Sequence, residues 1–585
     1  MTRRPPTKLN GRRPLAWLRH RLRSSELWLV GLATLVGAAA GFLAVLQSRI
    51  AHDLQSVLYG IDVDQRLSAV FKLTPPQLIW LPIGGLGLGV FVAIVRRRRP
   101  RALVDVVEAN ALHGGRLSLR DSAVVCAQTL ISNGVGASVG LEAAYAQAGG
   151  AAASALGQRL RLRRHDLRIL VGAGAGAAIG GAFGAPLAGA FYAFEIVIGS
   201  YTPSAIAPVA AAGLSSVLVV TLAGGEPYSI HVASQSSPDA YQYLLFAALG
   251  LVCAVLGIVL MRLVALAELG IRKTHLPMIL RPALGGLVVA GLALVTPQVL
   301  SSGHGALHLD LATQTTLAFL ATVFVLKSIA SIVSLGCGFR GGLFFASLFL
   351  GSLAGQIYAR LLGLGGVELA VINAALVGMG ALAVAIVGGP LTMSFLVLET
   401  TRDFGLGAST LAAALVASTV VREQFGYSFS TWRLHLRGET IRSARDVGWI
   451  NALKVGRMMR QDVGAMPASA TIAELRSRFP LGSTSRVILL DAAQGYAGLL
   501  MMASAYGEGV ESDTPLQQLA VNREVTLSPD MNIEEAMRVF EGAETEELAV
   551  VAPDGAVLGL LAEGYVARRY ARELEKAQQD LFGER

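Results

Sequence analysis

Apolar runs long enough to cross about 30 Å of hydrocarbon recur along the first three quarters of the chain. They cover residues 27–47, 76–95, 169–198, 203–224, 242–266, 282–300, 316–335 and 369–399, with shorter or glycine-broken apolar stretches between them. Each predicts a membrane helix. The pattern changes near Trp432, and beyond Gly438 charged residues come every few positions. There Arg486–Asp491 and Glu547–Val551 alternate like short strands, whereas Ile533–Phe540 and Val566–Leu581 carry helical apolar spacing. The expected organisation is a basic segment at 1–25, an all-α polytopic membrane domain at 26–438 and a soluble α/β domain at 450–585.

Composition agrees with a membrane protein. Of the 585 residues, 53% are hydrophobic and only 15% charged, against about 25% charged in soluble domains. The net charge of +9 raises a nucleic-acid partner, but its placement argues against one. Arg96–Arg99 directly follow the run ending at Val95, and such clusters mark cytoplasmic span ends. A multi-pass protein of the cell membrane with both termini in the cytoplasm follows. The polar, Arg-rich start before a long apolar run does not read as a signal peptide. Cys126, Cys253 and Cys337 stand alone, without histidines at ligand spacing, so neither a metal nor a disulfide is expected. No nucleophile–base pair stands at recognisable spacing, which argues against an enzyme.

The membrane region repeats. Residues 184–195 read GAPLAGAFYAFE and residues 388–399 read GGPLTMSFLVLE, each with a Glu nine residues after its Pro. Gly140 precedes Pro186 by 46 residues and Gly342 precedes Pro390 by 48. Two matches at similar spacing predict duplicated halves, about 76–224 and 242–430, arranged as inverted repeats with broken helices and a midplane site.

The segments Ile131–Gly150 and Gly336–Gly355 are too rich in glycine for continuous lipid-facing helices. Their glycines serve either close helix packing or a backbone that lines an enclosed cavity. The pairing of the two turns favours the cavity, where amides and helix N-termini attract an anion. Glu142 is the only acidic residue between Asp121 and Asp166, and an intramembrane carboxylate marks an ion or proton route by default. Ionised, it would fill the anion site; protonated, it would leave. The alternative is a static cap held by local amides.

With these motifs the chain resembles the CLC family of chloride channels and transporters. Gly140-Leu141-Glu142 is similar to the family's glycine–any–glutamate–any–proline motif, with Ala144 in the proline's place. That resemblance makes Glu142 the gate, with protons acting on it, and Gly140 part of the anion site. Gly342 to Ala346 resembles the second motif, again with Ala for Pro, which implies anion-coordinating amides at Leu343 and Phe344. Tyr427 matches the tyrosine that closes the inner side. The family's serine motif is missing: Pro100-Arg101-Ala102-Leu103-Val104 stands there instead. Ile196 occupies the place of the inner glutamate of the proton-coupled exchangers, as in the family's channels. Glu195, one residue earlier, is either structural or a substitute proton relay, and Glu399 is its counterpart.

The tail carries two similar modules, residues 467–500 and 528–561, each a helix, a strand, a turn and a strand. They resemble a tandem CBS pair, which the family often carries. An adenine nucleotide is the conceivable ligand there, although Gly559 to Glu563 lacks the Ser/Thr and Asp of a ribose-phosphate site; no other cofactor is expected. The resemblance implies a homodimer in the bilayer passing chloride or another small anion. The expected function is a voltage- or pH-gated chloride channel. A proton-coupled antiporter is the alternative, and a membrane-anchored nucleotide sensor the remoter one.

Overall fold

The computed structural model describes residues 26–62, 65–99, 103–225, 238–313, 315–429, 431–432, 453–507, 509–543 and 545–569. The segment 1–25, Arg101 at the missing serine motif and most of the 566–581 helix lie outside them. The chain divides into two compact units, Met1–Asp446 and Val447–Arg585.

The first unit is helical. Its first half contains α1 (Glu26–Tyr59), α2 (Trp80–Arg98), α3 (Val106–Leu112), α4 (Leu119–Gly134), α5 (Glu142–Leu160), α6 (Arg164–Phe183), α7 (Pro186–Tyr192) and α8 (Pro203–Leu222). The second half follows with α9 (Ala240–Lys273), α10 (Arg281–Ala293), α11 (His304–Ala312), α12 (Leu317–Gly336), α13 (Phe344–Leu364), α14 (Val371–Val387), α15 (Pro390–Thr401) and α16 (Phe404–Gln424). The order of lengths repeats: α1 and α9 each have 34 residues, and the short α3 and α11 follow two helices later. Among the described residues, eight helices are long and apolar enough to span a membrane. This is a polytopic membrane fold.

Three expected spans are interrupted. The run 169–198 breaks where Gly184 takes a φ of +63°, and Pro186 then opens α7, which passes into a π-helical turn at Ala193–Ile198. The run 369–399 breaks at Gly388 and Gly389, with φ of +88° and +73°, before Pro390 opens α15. The run 282–300 stops as a helix at Ala293 and turns through Pro297–Val299. Glycine adopts these left-handed conformations at little steric cost while leaving hydropathy almost untouched, so an apolar average runs through the break. Conversely, the small and hydroxyl residues of α13 and α16 dilute the apolar signal, and both are long helices.

The halves pack alike internally and meet through reciprocal caps. A Cβ on Gly149 of α5 would lie 2.2 Å from the Gly174 carbonyl of α6; one on Gly351 of α13 would lie 2.3 Å from the Gly378 carbonyl of α14. Each pair therefore crosses at bare backbone, as small residues permit in membranes. Glu195 accepts from the amides of Leu391 (3.1 Å) and Thr392 (2.8 Å) and from the Thr392 hydroxyl (2.7 Å), capping α15. In return Glu399 accepts from the amides of Leu187 (2.9 Å) and Ala188 (2.8 Å), capping α7. Between these caps the rings of Phe191 and Phe395 stack at 4.4 Å. The proline-to-glutamate repeat of the sequence is thus a pair of helices, each ended by the other's carboxylate.

The second unit is α/β. The first module has β1 (Ala465–Pro467), α17 (Ile472–Arg478), β2 (Arg486–Leu490) and β3 (Tyr496–Met501), in a sheet ordered β1-β2-β3. The second has α18 (Ile533–Ala543), β4 (Glu547–Val551) and β5 (Val557–Ala562). Both antiparallel hairpins shift register at the last residue of their first strand, Leu490 and Val551. Thr471 and Glu474 form a capping box at α17. Ile488, Leu499, Ala549 and Leu560 pack together and join the modules.

Candidate functional site

The chain between α4 and α5, Val135–Leu141, and that between α12 and α13, Cys337–Leu343, are loops inside the helical unit. In lipid such backbone must find internal partners, and here each loop supplies them to the other. The Gly140 amide donates to the Gly342 carbonyl (2.9 Å) and the Gly342 amide to the Gly140 carbonyl (3.2 Å), an antiparallel bridge. Serines tie the flanks. The Ser138 amide donates to Ser334 Oγ of α12 (3.1 Å), and the Arg340 amide to Ser132 Oγ of α4 (3.0 Å). The pseudo-twofold that exchanges the halves therefore matches Gly140 with Gly342, Ser138 with Arg340, and Glu142 with Phe344.

Immediately past the bridge, α5 starts at Glu142 and α13 at Phe344. The first amides of a helix have no carbonyl one turn back, so two sets of unsatisfied donors begin beside the bridge. Glu142 is 2% exposed and neither carboxylate oxygen has a hydrogen-bond partner. The carboxylate lies over Gly140, where a Cβ would come within 1.9 Å of Oε2. Glu142, Gly342, Leu343 and Phe344 line one cavity of about 120 Å³, together with Tyr192, Asp105 and Arg340. With a water's share of liquid at about 30 Å³, it has room for a desolvated small anion and a few waters. Phe183 and Tyr192 pack on the Phe344 ring at 5.2 and 6.1 Å, giving that wall an apolar, aromatic character.

Gly140→Ala should push the Glu142 carboxylate off the bridge, because that flexible end is what a methyl would meet. Anion flux in vesicles should then lose much of its pH dependence; an unchanged profile would show that the carboxylate does not rest there.

Tyr427, Glu195 and Ile196 are not in this cavity. They line a neighbouring one of about 400 Å³ with Gly388, Gly389 and Arg422, and the two cavities share Val107 and Val387 as wall residues. The Tyr427 ring packs against Trp432 at 5.4 Å. Ile196 is buried in the π-helical turn, and Glu195 is engaged by the three donors that cap α15.

Comparison with known proteins decides the family. The family model described as voltage gated chloride channel matches residues 84–422, more than half of the chain. This chain belongs to that family. A ClcB-like protein of Ralstonia nicotianae is 32% identical over 389 residues, covering 64% of this chain and 89% of its own length. The voltage-gated ClC-type chloride channel ClcB of Salmonella typhimurium is 29% identical over 402 residues, covering 67% and 95%. In three dimensions a slow cyanobacterial Cl⁻/H⁺ antiporter aligns with a TM-score of 0.61 at 22% identity, over 70% of this chain and 97% of that one. That last likeness concerns the fold. Proteins of the voltage gated chloride channel family pass ions and are not enzymes.

Three charged residues escaped the reading of motifs. Asp105 caps α3 by accepting from the Glu108 amide (2.8 Å) and lines the Glu142 cavity. Its sequence signal is that of any helix N-cap. Arg340 stands in a glycine-rich turn and lines the same cavity. Lys327 is wholly buried in α12, where its ammonium donates to the carbonyls of Val299 (3.1 Å) and Ser301 (2.7 Å). A lone lysine inside the 316–335 run was the available sign.

Proposed function

We propose that this chain is a passive anion channel of the family, with chloride as its working ion and Glu142 as a protonation-sensitive gate. One observation carries the reading: a buried carboxylate without a partner stands where two helices from two repeats begin. A carboxylate there costs at least a few kcal/mol in a membrane interior, which favours a functional over a packing role. The amides of Leu343 and Phe344 are the candidate anion ligands, with Gly140 leaving room for the gate. Tyr427 is assigned to the neighbouring vestibule on the way to that site.

Passive flow rests on what lies beyond Glu142. A proton needs a chain of titratable groups or water to cross. Ile196 offers no such group, and the Glu195 oxygens are held as a helix cap. Proton-coupled exchange is the second reading, and Asp105 favours it, as a further carboxylate lining the Glu142 cavity. We further read the chain as a homodimer in the cell membrane, with both termini on the cytoplasmic side that Arg96–Arg99 mark. The tail is read as a tandem CBS pair, supported by its two modules with matching hairpin irregularities, and it tunes conduction rather than forming the pathway.

The deciding measurement is the reversal potential of purified protein under crossed chloride and pH gradients. It should follow the chloride gradient alone. A shift with the pH gradient at fixed chloride selects the exchanger, and vesicles without any anion flux sink the proposal.

A further inference from the structure

The wall of the Glu142 cavity carries a hydroxyl that no described residue bonds. Tyr192 ends α7 and lines the cavity from the first repeat, with its ring 6.1 Å from that of Phe344 in the second. Among the described residues lining that cavity it is the one hydroxyl-bearing side chain. Tyr192 is buried, and the charges that act on its hydroxyl are those of Asp105 and Glu142, with no hydrogen bond to either. Both oxygens of Glu142 lack a donor as well. A donor without an acceptor and an acceptor without a donor thus share one cavity and do not pair. Buried polar groups are bonded in the great majority of cases, so the hydroxyl is left for whatever enters the cavity.

The duplication argues that this hydroxyl is not structural. Tyr192 stands six residues after Pro186, and Leu396 stands six after Pro390. Leu396 is buried, so the fold asks only an apolar side chain of this position. The preceding residues, Phe191 and Phe395, keep the twofold match by stacking on one another. Directly after Tyr192 the chain enters the π-helical turn Ala193–Ile198, an irregularity found frequently at functional sites. Other neutral side-chain donors are absent from the described wall or engaged. Tyr427 lines the neighbouring cavity. Gln147 gives its N–H groups to Ser122 Oγ (2.9 Å) and the Val104 carbonyl (3.2 Å).

We propose that the Tyr192 hydroxyl is a ligand of the permeating anion and makes the site prefer strong hydrogen-bond acceptors, chloride over thiocyanate. The inference rests on the reading of the Glu142 cavity as the anion site. A phenol is neutral at working pH and carries one O–H donor on a rigid ring. It adds a donor to the amides of Leu343 and Phe344 without adding charge, which suits a site that must also release its ion. It discriminates because a hydrogen bond strengthens with the charge density of its acceptor. Chloride concentrates its charge on one atom, whereas thiocyanate spreads it along its length.

The test uses the full chain in vesicles, with half-saturation of flux measured for chloride and for thiocyanate. Tyr192→Phe removes one oxygen atom and keeps the ring against Phe344. It should raise the chloride concentration for half-maximal flux about tenfold, the scale of one hydrogen bond to a charged group. The thiocyanate value should hardly move, so the preference for chloride falls with it. Melting of the detergent-solubilised variant should match the wild type, because the hydroxyl has no protein partner to lose. Tyr192→Leu, with the residue of the twin position, should lose the same preference. The wild-type measurement stands even if neither variant folds: half-saturation at less thiocyanate than chloride overturns the inference. A Tyr192→Phe protein that keeps the wild-type values for both anions also overturns it and leaves the parent reading intact. If that protein in addition loses the pH response of flux, the hydroxyl is a partner of Glu142 and not an anion ligand. Wild-type protein without anion flux removes the parent reading instead.

Discussion

Glu142→Gln should conduct at neutral pH as the wild type conducts only in acid. On the proposed reading, lowering the pH of the wild type should protonate the carboxylate, remove its charge and free the site beside the bridge, so flux should rise as pH falls. Glutamine has the same shape without the charge and cannot change it, so flux should be high and nearly flat with pH. The expected gain at neutral pH is about tenfold or more, since a competitor bound by only about 1.4 kcal/mol already holds the site nine times in ten. Burial and the lack of partners for both oxygens are why so large an effect is expected from one atom exchange. Nothing else holds the ionised form in place, and nothing else loses a bond when it goes. Stopped-flow or electrode measurements of chloride efflux over a pH series decide it. If the variant reproduces the wild-type pH profile, the gate is elsewhere.

Removing the carboxylate of Glu195 should weaken the membrane unit without touching the coupling of ions. Glu195→Ala leaves the amides of Leu391 and Thr392 and the Thr392 hydroxyl without their acceptor. Loss of a cap costs about 1 kcal/mol in water and a hydrogen bond to a charged group about 1.5–3, so a loss of roughly 2–4 kcal/mol is expected. Glu399→Ala should cost somewhat less, with two bonds lost. Melting of the detergent-solubilised protein reads both. Glu195→Gln, which keeps an acceptor oxygen, should melt close to wild type and leave the reversal potential where it was. A Gln variant that is fully stable yet abolishes proton-driven anion movement would instead make Glu195 the relay and the protein an exchanger.

Much of the candidate site's geometry was legible because it was written twice. Gly140-Leu141-Glu142 and Gly342-Leu343-Phe344 share a pattern and a spacing, and a lone acid in an apolar stretch has few meanings. The repeated Pro-to-Glu interval was equally visible. That each glutamate caps the other repeat's helix was not, since spacing along a chain carries no information about which copy it will meet. Arg340 escaped for a related reason: a charged residue among glycines looks like an exposed turn, and only the fold sets it beside the Glu142 cavity. Tyr427 was matched by a motif, yet its hydroxyl's distance from Glu142 is a property of packing, and the two groups line different cavities. The breaks at Gly184 and Gly388 were hidden because backbone conformation and hydropathy are independent variables.

The mutual stitching of Gly140 to Gly342 limits the kinds of motion available to the molecule. Sliding or rocking one half against the other would sever both bonds of the bridge and, in the same stroke, the ties of Ser138 and Arg340, leaving four backbone amides without their acceptors. The proposed gate needs no such movement, unlike the rocking-bundle class of transporters, where the halves themselves are the moving parts. What remains free is one side chain, and rotamer changes are fast. Opening should therefore wait on the arrival of a proton, and its temperature dependence should resemble that of proton transfer in water more than that of a domain in motion.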